Sequence, residues 1–412
     1  MTQTTAARMR SWKGPALFTY GFRPFFLGAA IWAFVAMMLW ILMLGGHLQL
    51  SMPLDLVSWH AHAFLVGYIG AVVAGFLLTA VPNWTGRLPV AGWPLLALFG
   101  LWIMGRLALL FSSVLPLAFV AAIDLSFFLA LIAFLAREII AGRNWRNLII
   151  LGLLSTFTLG NALFHLDIMR AATPSQGVGV RLLLGSTLLI VTVIGGRIIP
   201  SFTRNWFVAQ GDAKRPAAPM QRFDKIALLA LLAALVLWCF ELAFAAQALM
   251  LAGVLHLVRL VRWKGLATHS NALLWVLHLA YLFVPLGALA MGWALSVDPT
   301  ASAAAQHLWM AGAIGLMTLA VMARATLGHT GHPLVVGHST VVLFVMLFGS
   351  VIARVLPAVL PGDPHLYHVI SGLCWLFSFG GFAVVYGTKL VQPKRAKKAA
   401  SRAGRSQKAA IQ

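Results

Sequence analysis

Carboxylates are scarce in this chain: nine Asp and Glu stand against thirty Lys and Arg across 412 residues. That scarcity argues against calcium, which takes its oxygens largely from carboxylates. Cysteine is scarcer still, with Cys239 and Cys374 sitting singly in apolar stretches. No pair is spaced for zinc, and no C-x-x-C-H run exists for covalent haem attachment. Charged residues of any kind make up 9% of the chain and hydrophobic ones 61%, with mean hydropathy +0.91. A water-soluble domain of this size is excluded by those numbers. The apolar runs do not alternate in character, so helices rather than a transmembrane barrel are expected.

What is present is a series of apolar runs, each about twenty residues long, the length that crosses a bilayer. Twelve spans are predicted: 25–44, 56–81, 93–111, 115–136, 148–165, 182–200, 226–241, 245–261, 272–295, 307–327, 335–356 and 366–390. The seventh and eighth are separated by almost nothing. The first run is too long for a cleavable signal and lacks a small-residue cleavage site. The net charge of +21 suggests nucleic acid until the positions are read. Arg8, Arg10, Lys13 and Arg23 precede the first span, and a basic tail from Lys394 to Lys408 follows the last. Between them, basic residues crowd alternate loops, with Arg170 and Arg181 as the two exceptions. This is the positive-inside pattern, so both termini are expected in the cytoplasm and the span count is even. The tail suits anionic lipid, at about a kilocalorie per basic residue near the surface. The charge is topology, and no nucleic-acid partner is expected. The predicted organisation is an N-terminal cytoplasmic segment (1–24), a transmembrane domain (25–392) and a basic cytoplasmic tail (393–412).

The chain also repeats itself. Shifting the second span by 245 places His62 on His307, Gly67 on Gly312, Gly70 on Gly315, and the Thr85-Gly86 pair on Thr330-Gly331. A shift of 118 places Gly67 on Gly185, Pro82 on Pro200 and Thr85 on Thr203. Three units of four helices give that spacing, over roughly 25–136, 148–261 and 272–390. Functional sites in such proteins usually lie where the units meet.

Histidine carries the remaining chemistry. In the predicted topology His60 and His62 sit roughly 6–9 Å into the second span. His165 closes the fifth span and His307 opens the tenth, so three helices bring imidazole to one outer level. Each alone has a plain reading, a hydrogen bond to a carbonyl or a headgroup. Together they mark a site, because ionisable groups inside a membrane are costly. Imidazoles with few thiols and few carboxylates suit haem iron or copper. Residues two apart on a helix point about 200° apart. His60 and His62 are therefore not expected to chelate one metal. One is expected as an axial ligand, and the other meets a second metal or an outer hydrogen-bond acceptor. His329, at the inner end of the tenth span, binds a metal or makes a helix-end hydrogen bond. Asp124, deep in the fourth span, and Arg106, near the outer end of the third, form a structural pair or belong to a proton path. Arg106 and Arg354 are also candidates for binding a haem propionate, since guanidinium forks suit carboxylates.

Longer motifs bring a resemblance. "YGFRPFFLGAA" (20–30), "WHAH" (59–62), "GFLLTAVPNWTG" (75–86), "GGRIIPSFTRNW" (195–206) and "LGHTG" (327–331) are similar to the NnrS family of nitric-oxide-response membrane proteins. The resemblance implies a bacterial inner-membrane protein that binds a non-covalent, b-type haem and copper, with nitric oxide or a nitrosyl species as its ligand. It also implies protection against nitrosative stress in denitrifying or nitric-oxide-stressed bacteria. A membrane or periplasmic electron donor would serve such a centre. The family's histidine motifs fall on His60, His62, His307 and His329, with "GNALFH" contributing His165. Two positions depart from the pattern: Ala63 stands where the family often has Glu, and His332 where it often has Arg.

The predicted protein is therefore an all-α, polytopic membrane protein with a histidine-ligated centre at its outer level, catalytic turnover being left open. A non-catalytic metalloredox sensor or electron-transfer module is the first alternative. A secondary transporter is the second, disfavoured because Asp124 is the one prominent midplane ion-binding group.

Overall fold

A computed structural model describes residues 12–395, and no strand occurs among them. The predicted basic positions Arg8 and Arg10, and those from Lys397 onward, lie outside the described residues. Helices occupy all twelve predicted places. They are α1 (Phe22–Leu44), α2 (Leu56–Thr85), α3 (Trp93–Leu110), α4 (Leu117–Ala141), α5 (Leu148–Met169) and α6 (Val178–Ala209), followed by α7 (Arg222–Cys239), α8 (Ala245–Val261), α9 (Ala272–Ser296), α10 (Pro299–Thr330), α11 (His338–Val355) and α12 (Pro364–Val391).

Ten of these are long and apolar enough to cross a membrane; α7 and α8 are not among the ten. The reason is local. Helix α7 opens with Arg222, Asp224 and Lys225 in its first turn, and α8 has 17 residues. The two pack as a hairpin, locked by a buried ion pair in which Arg259 Nε donates to Asp224 Oδ1 at 2.8 Å. Arg259 also donates to the Tyr281 hydroxyl on α9, at 2.7 Å. The pair thus fastens three consecutive helices at one end.

Helices α2, α6 and α10 form the interior. Their apolar segments are 83%, 83% and 78% buried, against 33% for α1, α4 and α11. These are the three spans that the sequence shifts superimpose. Burial explains why glycine and threonine recur in them, since small residues let helices approach where no hydrophobic force drives packing in lipid. The Tyr68 and Thr318 hydroxyls hydrogen-bond at 2.6 Å, joining α2 to α10. The repeated Thr-Gly pairs end α2 and α10 alike: Gly86 (φ 69°) and Gly331 (φ 81°) adopt the left-handed C-terminal conformation.

Two of the interior helices change pitch at equivalent places. A π-helical segment, Ala63–Ile69, follows His62 on α2, and another, Leu308–Leu316, follows His307 on α10. Such segments are rare and cluster at functional sites. In α2 the widened turn is met by indole donors from neighbouring helices. Trp32 Nε1 donates to the Ala63 carbonyl at 2.7 Å, and Trp102 Nε1 to the Gly67 carbonyl at 2.9 Å. Gly67 allows this approach, because a Cβ there would stand 2.3 Å from Trp32 Nε1.

Candidate metal centre

One end of the bundle collects the starts of α2, α10 and α12 and the ends of α3, α5 and α11. Helix α2 begins cleanly because Asp55 caps it, accepting from the Ser58 amide at 2.9 Å. His60 and His62 then emerge on different sides, as the helical angle requires.

His60 faces α1, α10 and α11. Its ring lies 4.1 Å from Trp40 and 4.8 Å from Phe64, centroid to centroid. It is also 6.3 Å from His307, with planes 18° from parallel. His60 Nδ1 is buried and has no hydrogen-bond partner. His307 Nδ1 donates to the Ala303 carbonyl one turn earlier, at 2.7 Å. That bond fixes the tautomer and leaves Nε2 with its lone pair, as in metal-bound histidines whose other nitrogen is tied to a carbonyl. Arg354, in the last turn of α11, is close enough for its charge to reach His60, His307 and His368. Among the described residues no carboxylate pairs with it.

His62 turns the other way, into a buried polar cluster formed with α3, α4 and α5. Asp124 is its hub. Asp124 Oδ2 accepts from His62 Nε2 at 3.0 Å, from His165 Nε2 at 3.0 Å and from Asn161 Nδ2 at 2.8 Å. The Arg106 guanidinium pairs with the other oxygen, Oδ1. All five side chains are at most 3% exposed. A carboxylate survives there because four donors converge on it and one of them carries a full charge. His62, Asp124 and His165 also offer one ligand atom each within 4.8 Å of one another, a donor set of two imidazoles and a carboxylate. His62 Nδ1 stays buried without a partner.

The predicted site residues therefore divide into groups. His60, His307 and Arg354 come together, and His62 joins His165. Arg106 belongs to the second group, where its guanidinium serves Asp124 while its Nε and Nη1 are buried without partners. His329 stands at the far end of α10, roughly 30 Å along the helix from His307. There it packs beside Tyr20 and Phe22, with centroids 5.7 and 5.4 Å away. Sequence reasoning missed Asn161 and Trp40, and placed His368 at the outer level without giving it a role. Asn161 was within reach of it, being four residues before His165 and so on the same helical face. Trp40 carried no signal, since tryptophans near span ends are the norm in membrane proteins.

Among the described residues, an all-helical bundle with ten candidate membrane spans and two histidine groups at one end, the His62–His165 group buried and the His60–His307 group partly so, defines a polytopic membrane protein with a cluster that could hold a metal. The chain belongs to the NnrS family: the family model, described as NnrS protein, matches residues 16–394, nearly its whole length. No curated protein matches it.

Proposed function

We propose that this protein is a haem- and copper-binding protein of the bacterial inner membrane that acts in the response to nitric oxide, with its metals held at the histidine end. Membership of the NnrS family supports the nitric-oxide role. The observation that carries the metal reading is the His60–His307 pair. Two imidazoles on repeat-related helices lie near-parallel at 6.3 Å, one with an orphaned buried nitrogen and the other with its tautomer fixed. In this reading all twelve helices cross the membrane as three units of four, with both termini in the cytoplasm. The paired π-helical segments after His62 and His307 support the repeat.

The donor chemistry fits. Neutral imidazole nitrogens without thiolates suit haem iron and copper alike. His60 and His307 would hold the haem iron, and His62 with His165 would hold copper, Asp124 serving as ligand or as the carboxylate that orients both rings. When bound, haem iron would supply a site for nitric oxide only where one of these two imidazoles gives way to it. The chain's own residues do the rest. Trp40 and Phe64 pack aromatic surface against His60. Arg354 supplies a positive charge for an anionic group of the cofactor, such as a propionate. Arg106 pairs with one oxygen of Asp124 and leaves the other to accept from both histidines.

The test is the optical spectrum and metal content of detergent-purified protein. Wild type is expected to hold haem and copper. His60→Ala and His307→Ala are expected to lose haem, and His165→Ala copper. Full haem occupancy in a His60→Ala/His307→Ala variant overturns the assignment. Stoichiometric nitric oxide binding without product would identify a sensor or electron-transfer module. Transport is the weaker reading, because α2 and α10 widen into π-helix but do not unwind, as transporter helices do at their binding sites.

A further inference from the structure

At the opposite, basic end of the bundle a cavity of about 630 Å³ opens between α8 and α9. Its walls are Leu257, Leu260 and Val261 from α8 and Trp275, Leu279 and Leu282 from α9. The turn Lys264–Ala267 closes one end, and Lys214 reaches it from the α6–α7 loop. That loop is pinned in place, since the Ala217 amide donates to the Arg262 carbonyl at 3.1 Å. The volume lies in the range of about 300–1,000 Å³ that holds a small amphiphile or most of a lipid chain.

The charge around the mouth is predominantly positive. Lys214 and Lys264 are exposed at it, and Arg215, Arg222, Lys225 and Arg262 lie in the same loops and helix ends. Asp224 is consumed by Arg259 inside the bundle, and Asp212 stands only loosely beside Lys214, at 3.9 Å. Below the lysines the walls are apolar. Outward-facing Leu266 and Val261 are 88% and 76% exposed, with Trp275 beside them, the mixture of tryptophan, lysine and bare apolar side chains found at headgroup level. His278 in the wall gives its Nε2 to Thr203 at 2.9 Å, while its Nδ1 has no partner.

We propose that this groove is a binding site for one anionic phospholipid. The headgroup phosphate sits against Lys214 and Lys264, and one acyl chain lies between α8 and α9 from Trp275 toward Leu282, a run of about 10 Å. A neutral lipid would leave Lys264 unanswered and Lys214 with only its loose Asp212 contact over an apolar slot; an anionic one satisfies both halves of the site. Basic pockets between helices at the membrane surface select such headgroups. The inference is independent of the metal reading.

Native mass spectrometry of the full-length protein released from mixed phosphatidylglycerol and phosphatidylcholine nanodiscs tests it. One phosphatidylglycerol is expected to be retained, roughly tenfold in preference to phosphatidylcholine. Lys214→Gln with Lys264→Gln is expected to abolish that preference, and the matching double Arg variant to keep it. Leu279→Trp, which fills the slot, is expected to lower retention with both lysines present. Metal content and thermal midpoint of the lysine variants should match wild type, since both side chains are exposed. Equal retention of the two lipids overturns the proposal. So does a preference that survives the double Gln variant, or an isoprenoid quinone held in place of the phospholipid.

Discussion

The imidazoles of His60 and His307 stand 18° from parallel with centroids 6.3 Å apart, although they come from helices near opposite ends of the chain. The proposed haem reading would have these two rings hold one metal between them, and His60 and His307 are the residues that would do so. His329 shares a helix with His307 but lies at its other end. His329→Ala is accordingly expected to leave haem and copper content unchanged, with an unaltered optical spectrum. Loss of either metal in that variant would contradict the division into two ends.

Asp124 holds Arg106 in the bundle interior, where removing one partner strands the other. Asp124→Leu is expected to destabilise the protein by about 3–5 kcal/mol, the cost of an uncompensated buried charge. Arg106→Leu placed on top of it should recover part of that loss. Denaturant unfolding in detergent micelles of the two single variants and the double variant checks the expectation. Additive losses would mean that the pair does not act as one unit.

Gly67 is the contact point between the α2 π-helical segment and Trp32. Gly67→Ala forces the indole away, breaks its hydrogen bond to Ala63, and is expected to cost about 1–3 kcal/mol by overpacking. The strain lies less than two turns from His62, so the copper signal in electron paramagnetic resonance should shift too. Gly100→Ala, where no atom lies within 4 Å of the new methyl, serves as the neutral comparison.

Arg106 and Arg354 are expected to behave differently. Arg106→Leu should lower stability, because it leaves Asp124 without its charged partner. Arg354→Leu should preserve folding and membrane insertion but reduce haem retention, measured as the ratio of Soret to protein absorbance. An Arg354→Leu variant with full occupancy would remove Arg354 from the cofactor's surroundings.

Much of this was legible in the sequence. Run length and hydropathy placed twelve helices, and the Thr-Gly pairs marked where α2 and α10 stop, because a left-handed glycine ends a helix by local geometry alone. The 200° separation of His60 and His62 likewise follows from one helix and needs no partner. The shifts of 118 and 245 singled out the three helices that turn out to be the most buried. What could not be read was whether the charged opening of α7 and the shortness of α8 matter, since crossing depends on neighbours that cover polar groups. The π-helical segments were hidden as well. The one in α2 is met by Trp32 and Trp102, which belong to other helices.

The sequence by itself determined the class of protein, the places of the helices and the end at which His60, His62, His165 and His307 gather, because these rest on hydrophobicity and on periods within one segment. The end of α6 and the start of α10 run eight to nine residues beyond the predicted spans. Only the tertiary structure decided the partners. It paired His60 with His307 and gave His62 to Asp124 and His165. It also took Arg106 into that buried cluster while leaving Arg354 beside the first pair. Those choices depend on which faces of α2, α4, α5, α10 and α11 meet. Helix–helix contacts in lipid are set by close packing and interhelical hydrogen bonds rather than by any apolar periodicity a single span displays.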